Sequence, residues 1–462
     1  MSTLPPAFAE RMLQQLGRQY DTFVQALEQD TPVSLRLNPF KWQGAPPYEP
    51  IPWSERGYYL PERPLFALDP LWHAGAYYVQ EASSQFLEQA LRQHLTIDEP
   101  LLALDLCGAP GGKSTHLTSL LPEGSFLVSN EVIRSRANIL AENLQKWGTG
   151  HALVTNNDPG QFARLEGLFD LMVVDAPCSG EGLFRRDAAA QEEWSPANVQ
   201  LCMERQRRIL LDAWPALKPG GLLVYSTCTY NQQENEENLQ WLSQQQRVKS
   251  LPLQIPEAWG IEETEISGLR GYRFYPHKLR GEGFFLAVLQ KLEGYEPDRL
   301  PHVRKPRLSF LPKKLVPEVQ PWLLDAQDWE IVQEGPLWTA YPTHWLPLVQ
   351  VLHEQFRVVH GGLQLAEPKG KSLIPQPALA LSRHLNPAQF PQAELDLPTA
   401  LRFLRKDDIL PDGTPDGWVL CRYRGVGLGW LKMMKHRSNG YWPTHWRLRM
   451  ELPTELPSPV LP

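Results

Sequence analysis

The sequence has no run of about eighteen apolar residues, the least a helix needs to cross a bilayer, so no helical membrane span is expected. Its opening, MSTLPPAFAERMLQQL, carries an acid and no apolar signal core, and no secretory signal is expected. Cysteine is scarce, at five in 462 residues. An odd, scattered set in so long a chain excludes a disulfide framework and implies reduced thiols and a cytoplasmic location. No internal repeat is visible. A basic excess is also missing, because the formal net charge is −7. A chain of this length exceeds one ordinary core, so two to four domains are expected.

The charge is uneven. Residues 1–300 hold 26 Lys/Arg against 37 Asp/Glu, whereas residues 301–462 hold 19 against 15. Within 417–450 there are seven basic residues and no acid, including Lys432, Lys435 and Arg437. Trp418, Tyr423, Trp430, Tyr441, Trp442 and Trp446 are interleaved with them. Cations with aromatics suit stacking on unpaired RNA bases, although a solvated face of a small β-domain would read similarly.

Residues 1–30 read as two amphipathic helices, followed by a strand at SLRLN (34–38) and a helix from about Gln80 to His94. From Leu101 the pattern changes. LLALDLC, GSFLVSNE, HALVTNND, FDLMVVDAP and GGLLVYSTC are apolar strand-like runs that alternate with helical stretches near 112–120, 133–147 and 197–217. This predicts an α/β domain with a parallel, Rossmann-like sheet covered on both faces. EGFFLAVLQK (282–291) reads as a further strand at the end of that sheet. The expected organisation is a helical and RRM-like extension (1–95), the α/β domain (96–292), a Pro- and Lys/Arg-rich linker (293–315), a small α+β domain (316–390) and a last small domain (391–462).

Chemistry starts after the first strand of the sheet. Cys107, Gly108, Ala109, Pro110, Gly111, Gly112 and Lys113 separate it from a helix, and glycines there let a ligand approach the backbone. The spacing is neither the P-loop nor the dinucleotide fingerprint. Glu131, Asp158 and Asp175 end the next three strands, where carboxylates can hold ribose hydroxyls and an adenine amino group. Any one of these acids could be an ordinary strand-end cap. Together, with nothing to grip phosphate, they outline a crevice for an adenosine without phosphates, hence S-adenosylmethionine.

Cys178 follows the fourth strand and Cys228 the fifth, so both thiols should project at that crevice. Cys202 and Cys421 read as small buried hydrophobes. Carbon 5 of a pyrimidine is a poor nucleophile, but a thiolate added at carbon 6 turns the ring into an enamine-like species that can attack a sulfonium methyl. The adduct must then lose the carbon-5 proton and expel the thiolate, which needs a base.

DLCGAPGGK, DAPCSGEGLFRRD, the QRRIL helix, LKPGGLLVYSTCTYNQQENE and RFYPHKLRGEGFF resemble the Nol1/Nop2/Sun family of RNA cytosine-carbon-5 methyltransferases. TPVSLRLNP and AYYVQEASSQ extend the resemblance back to residue 31. With the segment GWLKMMKHRSNGYWP the chain further resembles the bacterial RsmF-type 16S rRNA enzymes, whose tail is a PUA-like RNA-binding domain. The resemblance implies that Cys228 is the nucleophile, that Cys178 assists release, that Asp175 holds the cytosine edge and that Lys113 lies beside cofactor and base. DNA cytosine methyltransferases attack instead with a Pro-Cys thiol, so Cys178 taken alone would mislead. The cofactor set implied is Cys107 through Lys113 with Glu131, Asp158 and Asp175. Two positions depart from the family pattern: Gly108 stands where Ala is usual, and Pro159 separates Asp158 from Gly160.

The expected partner is RNA, as 16S rRNA or the small ribosomal subunit, bound by a monomer without metal or membrane. Arg185, Arg186, Arg273, His277, Lys278 and Arg280 are expected along the RNA cleft, and Lys432, Lys435 and Arg437 on the last domain. Two alternatives stay open: a tRNA cytosine methyltransferase, and a ribosome-assembly RNA-binding protein that kept the fold without activity. The adenine-amino and glutamine methyltransferases are excluded, because Asp175-Ala176-Pro177-Cys178 stands where they carry an Asn/Asp-Pro-Pro-aromatic motif.

Overall fold

The computed structural model describes residues 4–95 and 99–462. The expected boundary at 95/96 borders the segment 96–98, and the first three residues of the leading helix reading also lie outside the described residues. The leading helices are Pro6–Leu16 and Tyr20–Leu27. An antiparallel sheet follows, built of β1 (Val33–Leu37), β2 (Glu49–Pro50), β3 (Gly57–Leu60) and β4 (Tyr77–Val79) in the order β2-β3-β1-β4.

The central sheet begins with β5 (Leu102–Asp105), β6 (Phe126–Asn130), β7 (Ala152–Thr155), β8 (Phe169–Asp175) and β9 (Leu217–Thr227). It is completed by β10 (Val248–Ser250), β11 (Glu262–Ile266), β12 (Leu269–Phe274) and β13 (Phe284–Lys291). β9, β8, β5, β6 and β7 lie side by side in that order, all parallel. β13 joins β9 antiparallel. The expected Rossmann-like sheet is therefore present, and EGFFLAVLQK extends it.

Both faces of this sheet are buried, which is why its strands read as continuous apolar runs. Leu104, Val128, Met172 and Leu223 enter one core, and their neighbours Ala103, Leu127, Leu171 and Val224 enter another. Successive side chains leave opposite faces of a strand, so this division follows from the period of two. The helix Pro196–Ala213 starts where Ser195 accepts a bond from the Asn198 amide (3.1 Å) and a proline fills the first helical position.

The stretch FRVVHGGLQLAE divides between two sheets. Val358–Gly361 pairs antiparallel with β7 at the edge of the central sheet, whereas Leu363–Lys369 belongs to a separate five-stranded antiparallel sheet. Gly362, at φ +59, makes the break; a Cβ there would stand 2.5 Å from the Ala340 carbonyl oxygen. A last four-stranded sheet comprises Gln392–Glu394, Gly417–Tyr423, Val426–Met434 and Arg437–Gly440. Among the described residues no helix is long and apolar enough to cross a membrane, and no group of three or more His, Cys, Asp or Glu is placed to hold a metal.

Candidate active site

In the parallel part of the sheet the strand order reverses between β5 and β8, and the crevice outside their carboxyl ends is where such sheets bind ligands. A cleft of about 280 Å³ opens there, lined by Cys107, Gly112, Lys113, Asp175, Cys228 and Glu282 among others. β5 ends at Asp105, and the loop beyond it enters the helix Gly112–Leu120. Ser114, in the first turn of that helix, donates to Asp105 Oδ2 (2.6 Å) and ties the loop closed. Arg36 braces it from the N-terminal sheet. Its guanidinium is buried over the Trp147 ring (4.4 Å) and donates to Thr115 Oγ1 (2.7 Å) and Gln80 Oε1 (2.8 Å).

Parallel pairing of β8 with β9, in the register Asp175 to Ser226, sets the two cysteine loops side by side. The Cys178 and Cys228 sulfurs lie 3.1 Å apart. That contact, with burial behind it, pushes the Cys178 thiol well above its ordinary pKa, so Cys178 keeps its proton. The Cys178 loop is anchored by Glu234, which accepts bonds from the Ser179 amide (2.8 Å) and Gln206 Nε2 (3.1 Å). Gly182 donates its amide to the Cys228 carbonyl (2.8 Å). A Cβ at Gly182 would stand 2.3 Å from the Gly283 carbonyl oxygen and 2.9 Å from that of Cys228, so any side chain would displace the thiol loop.

Asp175 is held on both oxygens. Lys113 Nζ lies 2.8 Å from Oδ2, and Ser226 donates to Oδ1 (2.8 Å). The same ammonium sits 5.1 Å from the Phe284 ring centroid. Lysine, carboxylate and the Cys228 thiol thus line one cleft, with the Cys178 sulfur against Cys228.

The residues present fit a nucleoside-type methyl donor in part. Cys107 through Lys113 form the expected loop and line the cleft at every position but Gly111, with Asp105 fully buried at the loop's start. Burial pushes the Asp105 pKa up to about 7. Glu131 is buried, with Oε1 accepting the Ile133 amide (2.8 Å) and Oε2 standing 3.7 Å from Arg136. Asp158 is exposed instead, caps the Gly160 amide (3.0 Å) and lies 3.8 Å from Arg208. Neither Glu131 nor Asp158 lines the cleft around the thiols.

The expected RNA-binding cations fare unevenly. Arg273 is buried and donates to Glu236 (2.6 Å), so its charge is spent inside the protein. Lys278 pairs with Glu262 and Arg280 with Glu49, each at 2.6 Å. Arg185 is tucked in, donating to the carbonyls of Gln29 and Asp30. His277 bonds Gln19 Oε1 (3.0 Å), and burial beside Lys278 lowers its pKa to about 4, leaving it neutral at physiological pH. Arg186 is exposed and, alone of these six, lines the cleft with Cys228. Acidic partners engage Arg273, Lys278 and Arg280, and backbone carbonyls and Gln19 hold Arg185 and His277, which a count of cations along the chain does not reveal.

Lys435 and Arg437 are exposed at the hairpin between Val426–Met434 and Arg437–Gly440, and Lys432 lies over the Trp418 ring (4.9 Å). Four of the six aromatics read as stacking surfaces, Tyr423, Trp430, Trp442 and Trp446, are instead buried in the core. Only Trp418 and Tyr441, packed edge to face at 4.5 Å, remain partly open.

The sequence reading passed over Ser226, Glu234 and Glu282. All three stand in quoted stretches (YSTC, NQQENE, LRGEGFF), but only the packed structure shows what each side chain meets.

A parallel sheet of this order with a glycine loop at its switch point defines the Rossmann-like methyltransferase class. A solved methyltransferase homologue from Pyrococcus horikoshii agrees, at 27% identity and a TM-score of 0.53 over 62% of this chain and 95% of that one. The family is shown more directly. Residues 93–290 match the model for 16S rRNA methyltransferase RsmB/F, 4–82 the N-terminal domain of 16S rRNA methyltransferase RsmF, and 390–448 the methyltransferase RsmF PUA domain. Ribosomal RNA small subunit methyltransferase F of Cronobacter sakazakii is 31% identical over 95% of both chains, and that of Aliivibrio fischeri 31% identical over 95% of this chain and 96% of its own. The chain belongs to the RsmF-type 16S rRNA methyltransferases, a family of RNA cytosine-C5 methyltransferases, and the family implies a methyl donor of the S-adenosylmethionine type.

Proposed function

We propose that this protein methylates carbon 5 of a cytosine in 16S rRNA, with Cys228 as nucleophile and S-adenosylmethionine as donor. The observation that carries the reading is Cys228 in one cleft with the Lys113–Asp175 pair (2.8 Å), its sulfur 3.1 Å from that of Cys178. Bound S-adenosylmethionine would supply an electrophilic methyl, held by the Cys107–Lys113 loop with Glu131 as the buried carboxylate for its ribose. Cys228 adds as thiolate to carbon 6 and makes carbon 5 nucleophilic. Asp175, oriented by Lys113 and Ser226, accepts from the cytosine amino edge and fixes the ring over the thiolate. Cys178, which keeps its proton, donates a hydrogen bond to the Cys228 sulfur as it departs.

An inactive assembly factor would have no use for so complete a site, and the relatives bear the names of small-subunit rRNA enzymes rather than tRNA enzymes. The cytoplasmic, monomeric state and the use of Arg186, Lys432, Lys435 and Arg437 on RNA belong to the same proposal. Bisulfite sequencing of 16S rRNA and tRNA, from cells with and without the gene, tests it. A cytosine protected in 16S rRNA only when the gene is present is expected; loss of protection confined to tRNA would reverse the substrate assignment.

A further inference from the structure

We propose that Glu282 is the base that removes the carbon-5 proton before Cys228 is expelled, an inference that rests on the cytosine-methylating reading above. The reaction needs such a base, and the carboxylate and thiol nearest the reacting atoms in this reading are engaged. Asp175 is bound on both oxygens by Lys113 and Ser226. Cys178 holds its proton and faces the leaving sulfur. Glu282 lines the same cleft as Cys228, is only 2% exposed, and has a hydrogen-bond partner on neither carboxyl oxygen. A buried carboxyl without hydrogen-bond partners, its one ion pair among the described residues the long 3.9 Å contact with Arg185, is costly, which marks it for a role with substrate.

Its placement is firm. The Glu282 amide donates to Glu81 Oε1 (2.8 Å), and its carbonyl accepts from Ser83 Oγ (2.9 Å), so the backbone is clamped while the carboxyl is left unbonded. Two residues on, Phe284 begins β13 and lies beneath the Lys113 ammonium. The intervening Gly283 packs, across Gly182, on the backbone of Cys228. The charged and titratable groups around the carboxyl are Glu81, Arg185, Arg186 and Tyr230, and the nearest cation atom, Arg185 Nε, is 3.9 Å away. Burial, then Glu81, pushes its pKa up to about 7, where a base can both accept a proton and return it to solvent.

The step balances as follows. Before release, carbon 5 bears the new methyl and its original hydrogen, and carbon 6 bears the Cys228 sulfur. A Glu282 oxygen takes the hydrogen as a proton, and the C–H electron pair becomes the carbon 5–carbon 6 double bond. The carbon–sulfur pair leaves with Cys228 as thiolate, beside the Cys178 S–H. Elimination is thus divided between a base and a donor to the leaving group.

The test uses the full-length protein, a 16S rRNA transcript carrying 5-tritiated cytosine, and carbon-14-labelled methyl donor. Wild type should release one tritium per methyl transferred. Glu282→Gln should transfer methyl once into a covalent protein–RNA adduct, with tritium release lowered at least tenfold relative to methyl. Glu282→Asp should restore part of the release. In wild type the release rate should fall about tenfold per pH unit below neutrality, and Glu282→Gln should lack that dependence. Normal tritium release per methyl by Glu282→Gln would overturn the assignment. So would a Glu282→Gln enzyme that binds donor but forms no adduct, since that places Glu282 before methyl transfer. Methylation by wild type without tritium release would instead refute the cytosine-C5 reading itself.

Discussion

Cys178 and Cys228, fifty residues apart in sequence, meet at 3.1 Å because β8 and β9 pair in parallel and each thiol lies just past its strand end. Their settings differ. Cys178 is held protonated, whereas Cys228 projects from the loop buttressed by Gly182. Cys228→Ala should abolish methyl transfer. Cys178→Ala should still attack but stall at elimination, leaving a protein–RNA band that resists denaturing electrophoresis. A band from Cys228→Ala and none from Cys178→Ala would exchange the two roles.

Lys113 and Asp175 should act as one unit. Asp175→Asn and Lys113→Met are each expected to lower kcat/KM about ten- to a hundredfold, the loss of a charge-assisted bond worth about 1.5–3 kcal/mol. Because each variant breaks the same 2.8 Å pair, the double variant should cost clearly less than the two effects combined. Full additivity in the steady-state cycle would mean that the pair is not coupled during the reaction.

Glu131 and Asp158 should separate. Glu131→Ala, at a buried carboxylate, should weaken methyl-donor binding about ten- to a hundredfold by calorimetry, with RNA affinity unchanged. Asp158→Ala should cost distinctly less, because an exposed carboxylate already bonded to Gly160 offers a screened interaction. Equal losses would place both acids on the donor.

Neutralising Lys432, Lys435 and Arg437 together should weaken RNA binding and flatten its salt dependence by about two to three units of log–log slope, at about 0.7–0.9 per phosphate contact. An unchanged slope in filter binding would assign these cations to a solvated hairpin.

His360 offers a stability test. It lies in the strand added to β7, and burial lowers its pKa from 6.5 to about 4. Between those values the unfolded chain binds a proton that the folded chain refuses. This contribution to stability is therefore intact above 6.5 and lost as pH falls toward 4. His360→Gln should remove that loss, so its stability relative to wild type should rise by up to about 1.4 kcal/mol per pH unit on acidification, read by urea titration at several pH values. A pH-independent difference would show that His360 titrates alike in both states.

The parallel sheet was legible because double-sided burial writes itself as apolar runs, and the glycine-rich loop and both thiols were legible because they fall at the ends of those runs. Tertiary pairing was not legible. Arg273 looked like a surface cation but lies buried against Glu236, thirty-seven residues away. Trp430 and Trp442 looked like stacking surfaces but fill the core of a small domain that needs large side chains to exclude water. FRVVHGGLQLAE is strand-like by composition, and only the turn at Gly362 shows that it serves two sheets, one of them the central sheet. Glu282 was in view within LRGEGFF, yet its lack of hydrogen-bond partners is a property of packing alone.

The central claim is that Cys228 forms the bond to cytosine. A 16S rRNA transcript containing 5-fluorocytidine, which blocks loss of the carbon-5 substituent, should trap the wild-type enzyme in the presence of methyl donor. After nuclease and protease digestion, mass spectrometry should find the methylated nucleotide on the peptide that contains Cys228. Attachment at Cys178, or no attachment when methyl transfer to unmodified transcript is normal, would contradict the account.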